Sequence, residues 1–144
     1  MKEQHYKNHA RYVPAFHFIT SLATVLLLIG SFVNLYNSLN DQGNLYSASL
    51  ICLTAIILCL YFWFIRSFPL KAQDRAIRAE ENFRHYVLTG TRFDHRLTMP
   101  QIIALRFASD EEMPLLAQRA AEEKLSGREI KKAVTNWRAD HHRV

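Results

Sequence analysis

Two stretches of this chain contain no Asp, Glu, Lys or Arg: AFHFITSLATVLLLIGSFVNLY at residues 15–36 and LYSASLICLTAIILCLYFWFI at residues 45–65. Between Pro14 and Arg66 the only formally charged side chain is Asp41. A helix rises about 1.5 Å per residue, so roughly 20 residues cross a hydrocarbon core about 30 Å thick. Both windows reach that length. The alternative is a pair of buried helices in a soluble protein. That would need more apolar surface elsewhere than the rest of a 144-residue chain supplies. The first window is too long for the apolar part of a signal peptide and ends without a small-residue cleavage pattern, so we expect a retained anchor.

The linker NSLNDQGN, residues 37–44, holds Asn, Asp and Gly, which tolerate left-handed backbone and bond to their own main chain. So short a connection returns the second helix antiparallel to the first and puts both chain ends on one side. The arm at residues 1–14 carries Lys2, Lys7 and Arg11 against Glu3. The chain leaving the second window carries Arg66, Lys71, Arg75 and Arg78 against Asp74, while the linker has Asp41 alone. This Lys/Arg bias assigns both termini to the cytoplasm, with a multi-pass hairpin spanning residues 15–65. Aromatic residues gather at the expected interfaces: Tyr12, Phe16 and Phe18 at the entry, Tyr36 and Tyr46 beside the linker, and Tyr61, Phe62, Trp63 and Phe64 at the exit.

Polar and small residues of the windows recur at spacings of three and four. In the first, His17, Thr20, Thr24, Leu27, Ser31 and Asn34 share a stripe; in the second, Ala48, Cys52, Ala55 and Cys59 do. Small residues let helices approach closely in lipid, and hydroxyls or amides can bond across. The two stripes are therefore expected to face each other, or else a second copy or another membrane partner. The cysteines sit seven residues apart, roughly 10 Å along one helix, too far for a disulfide within it. No acid or base lies at mid-depth and two helices enclose no pore, which argues against transport.

Residues 66–97 read as a juxtamembrane amphipathic helix starting near Pro69 and ending at Gly90, with Leu70, Ile77, Phe83, Tyr86 and Val87 as its apolar stripe. Such a helix either lies along headgroups or prolongs the second span. Residues 98–144 read as three short helices. Thr98 caps the first, Ser109 with Glu112 forms a capping box for the second, and Ser126 with Glu129 does so for the third. Their apolar sets are Ile102, Ile103, Leu105 and Phe107; Leu115, Leu116 and Ala120; and Ile130, Val134 and Trp137. About 47 residues is near the lower limit for an independent core, so the preceding helix or the membrane surface is expected to contribute.

His5 and His9 are four apart and would share a helical face. With His17, or with His141 and His142, they form a candidate metal set, although no Cys or fixed His/carboxylate spacing completes it. The simpler role for these histidines is as interfacial residues. Arg128, Lys131, Lys132 and Arg138 make a candidate interaction surface on the last segment. A helix, a Ser-Gly turn and a basic helix outline a helix-turn-helix. Yet residues 98–144 hold eight cations against seven anions, poor footing for nucleic acid, where phosphate neutralisation dominates affinity. No nucleophile–base motif, phosphate loop or metal signature is present, so no catalytic residue and no cofactor are assigned and an enzyme is not expected.

The stretches EQHYKNHARYVPAFHF, DRAIRAEENFRHYVLTG and ALRFASDEEMPLLAQRA with LSGREIKKAVTNWRAD together resemble an uncharacterised family of small bacterial inner-membrane proteins, a domain of unknown function. The resemblance covers nearly the whole chain. It implies two spans and a helical cytoplasmic tail, and brings no activity. The expectation is therefore all-α: a membrane hairpin of two transmembrane helices, a long amphipathic helix and a small helical cytoplasmic tail. The expected function is a membrane-anchored interaction or scaffold module whose partners are the bilayer and either a second copy or another membrane protein. A histidine-dependent metal- or ligand-binding protein and a membrane-tethered DNA binder are the alternatives.

Overall fold

The computed structural model describes residues 4–6, 8 and 12–140. Among them the chain is helical. A π-helical turn, Ala15–Thr20, runs into α1 (Ser21–Asn37). Then come α2 (Gln42–Thr89), α3 (Met99–Leu105), α4 (Met113–Glu122) and α5 (Gly127–Ala133). The fold divides into two compact units: Tyr12–Phe68, and Met1–Arg11 with Pro69–Val144.

In the first unit, α1 and the start of α2 form a hairpin. The turn is tighter than the eight-residue linker expected, because α1 continues to Asn37 and α2 begins at Gln42. Asp41 accounts for this. Its carboxylate accepts the Gly43 N–H at 3.1 Å and the Asn44 side-chain amide at 2.6 Å, so the one charge between Pro14 and Arg66 starts α2 as an N-cap. At the other end the Phe16 and Phe62 rings stack with centroids 4.6 Å apart, which fixes the helices antiparallel.

The fully buried residues of the hairpin's covered face are all small. Ser31, Ser38, Ala48, Cys52 and Ala55 are buried, with His17, Ser21, Thr24, Leu28, Leu35, Cys59 and Phe62 half-buried. Steps alternate between three and four on both helices, the 3.5-residue period of left-handed supercoiled packing. Thr24, Ser31, Ala48, Cys52, Ala55 and Cys59 thus lie on the facing stripe. Thr20, Leu27 and Asn34 do not; they are exposed, and Ser21, Leu28 and Leu35 occupy the stripe instead. The hydroxyls do not bond across. Thr20 Oγ1 donates to the Ala15 carbonyl at 3.0 Å, Thr24 Oγ1 to Thr20 at 2.7 Å and Ser31 Oγ to Leu28 at 2.7 Å, all within their own helix. The opposite surface is large and apolar: Phe18, Ile19, Leu22, Leu26, Ile29, Leu53, Leu60, Trp63 and Ile65 are all exposed. Only 6% of the first apolar window and 17% of the second is buried, and both helices are long and apolar enough to cross a membrane.

α2 does not restart at Pro69. It is one helix of 48 residues with the proline inside it. It stops at Gly90, whose positive φ of 73° ends the helix without the Cβ strain another residue would carry. Its distal part anchors the second unit, but not by the expected stripe. Ile77, Glu81 and His85 are buried, whereas Phe83, Tyr86 and Val87 are exposed.

α3, α4 and α5 wrap one core, in which Leu105, Phe107, Met113 and Ile130 are completely enclosed. Leu116 and Ala120 join it as expected, while Leu115 is 73% exposed and Met113 takes its place. The Thr98 cap forms a full box with Gln101, whose carbonyl oxygen accepts the Thr98 N–H at 2.7 Å. The Gln101 amide donates to the Ala120 and Leu125 carbonyls at 3.1 and 2.8 Å, tying α3 to the turn after α4. At Gly127 an added Cβ would fall 2.8 Å from the Pro100 carbonyl oxygen, so α5 meets α3 closely enough to require glycine.

The Ser126–Glu129 box forms in both directions: Glu129 accepts the Ser126 N–H at 2.7 Å and Ser126 Oγ accepts the Glu129 N–H at 3.3 Å. These bonds from Ser126 hold the Glu129 pKa below its usual value. The box therefore contributes fully above the ordinary glutamate range and fades as pH falls through the lowered value. Ser126→Ala is expected to cost about 1 kcal/mol. Urea denaturation followed by Trp137 fluorescence in a Trp63→Phe background checks it, and the difference from the parent should shrink at acid pH. At α4 the expected box is incomplete. Ser109 Oγ accepts the Glu112 N–H at 3.3 Å, but the Glu112 carboxylate accepts the N–H groups of Thr135 and Asn136 at 3.2–3.3 Å.

Candidate functional site

Glu112 explains why the last helix is shorter than its sequence pattern. By holding two N–H groups just past Val134, it favours the turn to extended backbone that ends α5 at Ala133. The extended chain then runs beside the residues after α3. Trp137 bridges Ala108, the Arg138 N–H donates to the Phe107 carbonyl at 2.8 Å, and the indole packs on Phe107 with centroids 4.9 Å apart. Arg138 is therefore not on the basic helix. The four cations of the expected interaction surface do not form one helical face, and a seven-residue α5 without Arg138 is a poor recognition helix.

The N-terminal arm closes over the same region. The Gln4 side-chain oxygen accepts the Asp140 N–H at 2.8 Å and its amide donates to the Asp140 carbonyl at 3.4 Å, much as a neighbouring strand would. The Tyr6 hydroxyl accepts from Arg128 Nε at 3.0 Å. That bond, reinforced by the charges of Arg128, Lys132 and Lys131, lowers the Tyr6 pKa. Lys131 also lies 5.6 Å from the Phe107 ring centre. Arg128 and Lys131 are thus engaged by the protein itself, whereas Lys132 is exposed.

Two clefts flank the extended segment and share Arg138 and Ala139. One, of about 740 Å3, is lined by Gln4, His5, Ser109, Asp110, Thr135, Asn136 and Trp137. The other, of about 490 Å3, is lined by Gln73, Ile77, Glu80, Glu81, Arg106 and Asp140. Charge here is organised into pairs. Arg84 donates from Nη1 to Glu81 at 3.0 Å, from Nε to Asp110 at 2.6 Å and from Nη2 to the Ala108 carbonyl at 2.8 Å, joining α2 to the chain after α3. Buried Arg106 pairs with Asp140 at 3.2 Å and lies over the Phe107 ring at 4.7 Å. Arg138 reaches Glu81 only at 3.9 Å. His85, buried near the end of α2, packs at a tilt against Phe93 with ring centroids 4.5 Å apart and Nδ1 2.8 Å from the Thr91 carbonyl. The arrangement holds the C-terminal segment and the arm in place and leaves two polar clefts open, the larger with the Trp137 indole in its wall.

His5 lines the larger cleft in this unit. His17 belongs to the hairpin, where Nδ1 sits 3.1 Å from the Val13 N–H nitrogen and 3.0 Å from its carbonyl oxygen, edge-on to Tyr12 and Phe16. His9, His141 and His142 lie outside the described residues. Among the described residues no three His, Cys, Asp or Glu side chains group so as to hold a metal ion. Arg106 and Asp140, which line the smaller cleft, carried no signal in sequence, since they pair across elements, and Glu112 was legible as a cap but not as the acceptor of the Thr135 and Asn136 N–H groups.

The match to known proteins is to a family and nothing narrower. The family described as "Family of unknown function (DUF6526)" matches residues 1–144, and the chain belongs to it. No curated protein and no solved structure matches.

Proposed function

We propose that this member of the DUF6526 family is a membrane-embedded interaction module: the hairpin anchors it in a bilayer, and the helical unit presents a protein-binding surface. The hairpin's inverted polarity carries the reading. The fully buried positions between its helices are serine, alanine and cysteine, with Leu28, Leu35 and Phe62 half-buried beside them, while Phe18, Leu22, Ile29, Leu53, Leu60 and Ile65 face outward. In water that exposes apolar surface far beyond the few hundred Å2 usual on a soluble monomer. In a bilayer it is the arrangement that satisfies both surfaces, because small residues permit close packing and every hydroxyl just described bonds within its own helix.

The topology follows from the placement of the chain ends. The arm residues Gln4 and Tyr6 are bonded to Asp140 and Arg128, so the chain leaves this unit, makes two passes and returns to it. With Lys and Arg concentrated next to the passes and absent from the turn, the reading places this unit in the cytoplasm, and the inner membrane of a bacterium is the setting that fits. In expressing cells the protein is expected to stay with membranes through alkaline carbonate. A reporter active only in the cytoplasm should work when fused at the C-terminus and fail when inserted in the 38–41 turn. Carbonate release, or equal reporter activity at both positions, would sink the proposal.

A further inference from the structure

The distal part of α2 presents a contradiction within its own unit. The tail covers the side that carries Ile77, Glu81, Arg84 and His85, while Phe83, Tyr86 and Val87 stand 70%, 54% and 65% exposed on another side. The open side has a register. Ala72, Ala79 and Tyr86 occupy the d positions of a heptad and Ala76 and Phe83 the a positions, and all five are exposed. Sustained a/d apolar spacing makes a helix–helix seam. Arg75 falls at g and Glu80 at e, both exposed.

We propose that this face pairs with the same face of a second copy, as a parallel two-helix seam. The inference deepens the membrane reading and rests on it for bringing two copies into one bilayer. The charges select that partner. In a parallel dimer a g residue meets the e residue five positions on in the other helix. Arg75 of each copy then meets Glu80 of the other, twice by symmetry. An antiparallel pair brings g to g and e to e, setting Arg75 against Arg75 and Glu80 against Glu80. Alanines at both d positions ahead of Tyr86 allow close approach, and Phe83 and Tyr86 supply the apolar area at the far end. The smaller cleft beside the tail borders this side at Ala76 and Glu80, but both residues remain exposed, so the seam forms next to the tail without displacing it.

Charge exchange in the full-length protein in lipid nanodiscs tests this. Wild type is expected to dimerise. Arg75→Glu and Glu80→Arg should each weaken association about tenfold, by losing two ion pairs and creating two like-charge contacts. The double exchange should restore it. Both residues are exposed, so folding is not at stake. A cysteine at Ala79 should cross-link between copies in a Cys52→Ala/Cys59→Ala background, while one at Arg78 should not. A monomeric wild type, a double exchange no better than the single ones, or equal cross-linking at 78 and 79 overturns the dimer. Carbonate extraction of the same membranes separates the two claims. A monomer that resists extraction refutes only the dimer. Release with the cross-linking pattern intact refutes the membrane reading and leaves the dimer standing.

Discussion

Glu81→Ala is expected to cost the helical unit about 1–3 kcal/mol, the usual consequence of leaving a buried hydrogen-bonding group without its partner. The Glu81 and Arg84 side chains are only 10% and 11% exposed. Arg84 keeps Asp110 and the Ala108 carbonyl, so losing Glu81 takes away the acceptor of its Nη1 where α2 meets the rest of the unit. Folded domains have about 5–15 kcal/mol in total, so the urea midpoint should fall steeply. Arg78→Ala, about one turn earlier on the same helix, exposed and outside the proposed seam, is the control and should shift stability by no more than about 0.5 kcal/mol. Equal effects of the two substitutions would show that the ion pair does not hold the unit together.

Leu105→Ala is the second large effect. The side chain is fully enclosed among Ala104, Ala108, Met113 and Ile130. Deleting its methyl groups removes their transfer energy and leaves a cavity, together costing about 2–5 kcal/mol. Leu115→Ala removes the same atoms from a 73% exposed position and should be close to neutral. The pair is informative because the sequence pattern ranks both leucines as core, and thermal unfolding of the two variants separates the readings.

Those two leucines show where sequence reasoning worked, at Leu105, and where it failed, at Leu115. Helix caps are local, and Thr98, Ser126 with Glu129, and Gly90 were legible because each needs only neighbours three or four residues away. The small residues of α2's apolar part were legible too, since Ala48, Cys52, Ala55 and Cys59 can pack closely and little else in that window can. On α1 polarity misled. A threonine hydroxyl bonds to its own helix, so Thr20 has no need to face a partner, and Leu28 and Leu35 take stripe positions that polarity would not assign. The distal face of α2 misled for the opposite reason. Its buried side is polar because Arg84, from the same helix, and Thr91, from the loop beyond it, satisfy Glu81 and His85. The end of α5 depended on Glu112, more than twenty residues earlier, and no periodicity records such a contact.

The two tryptophans allow the most direct test of the membrane reading. Trp63 is 70% exposed on the hairpin, so Trp137→Phe leaves it as a single reporter. In vesicles whose acyl chains are brominated close to the headgroup its fluorescence should be strongly quenched, as suits an interfacial aromatic, and more strongly than by iodide in the aqueous phase. Strong iodide quenching with no response to brominated lipid would place Trp63 in water and contradict the membrane hairpin.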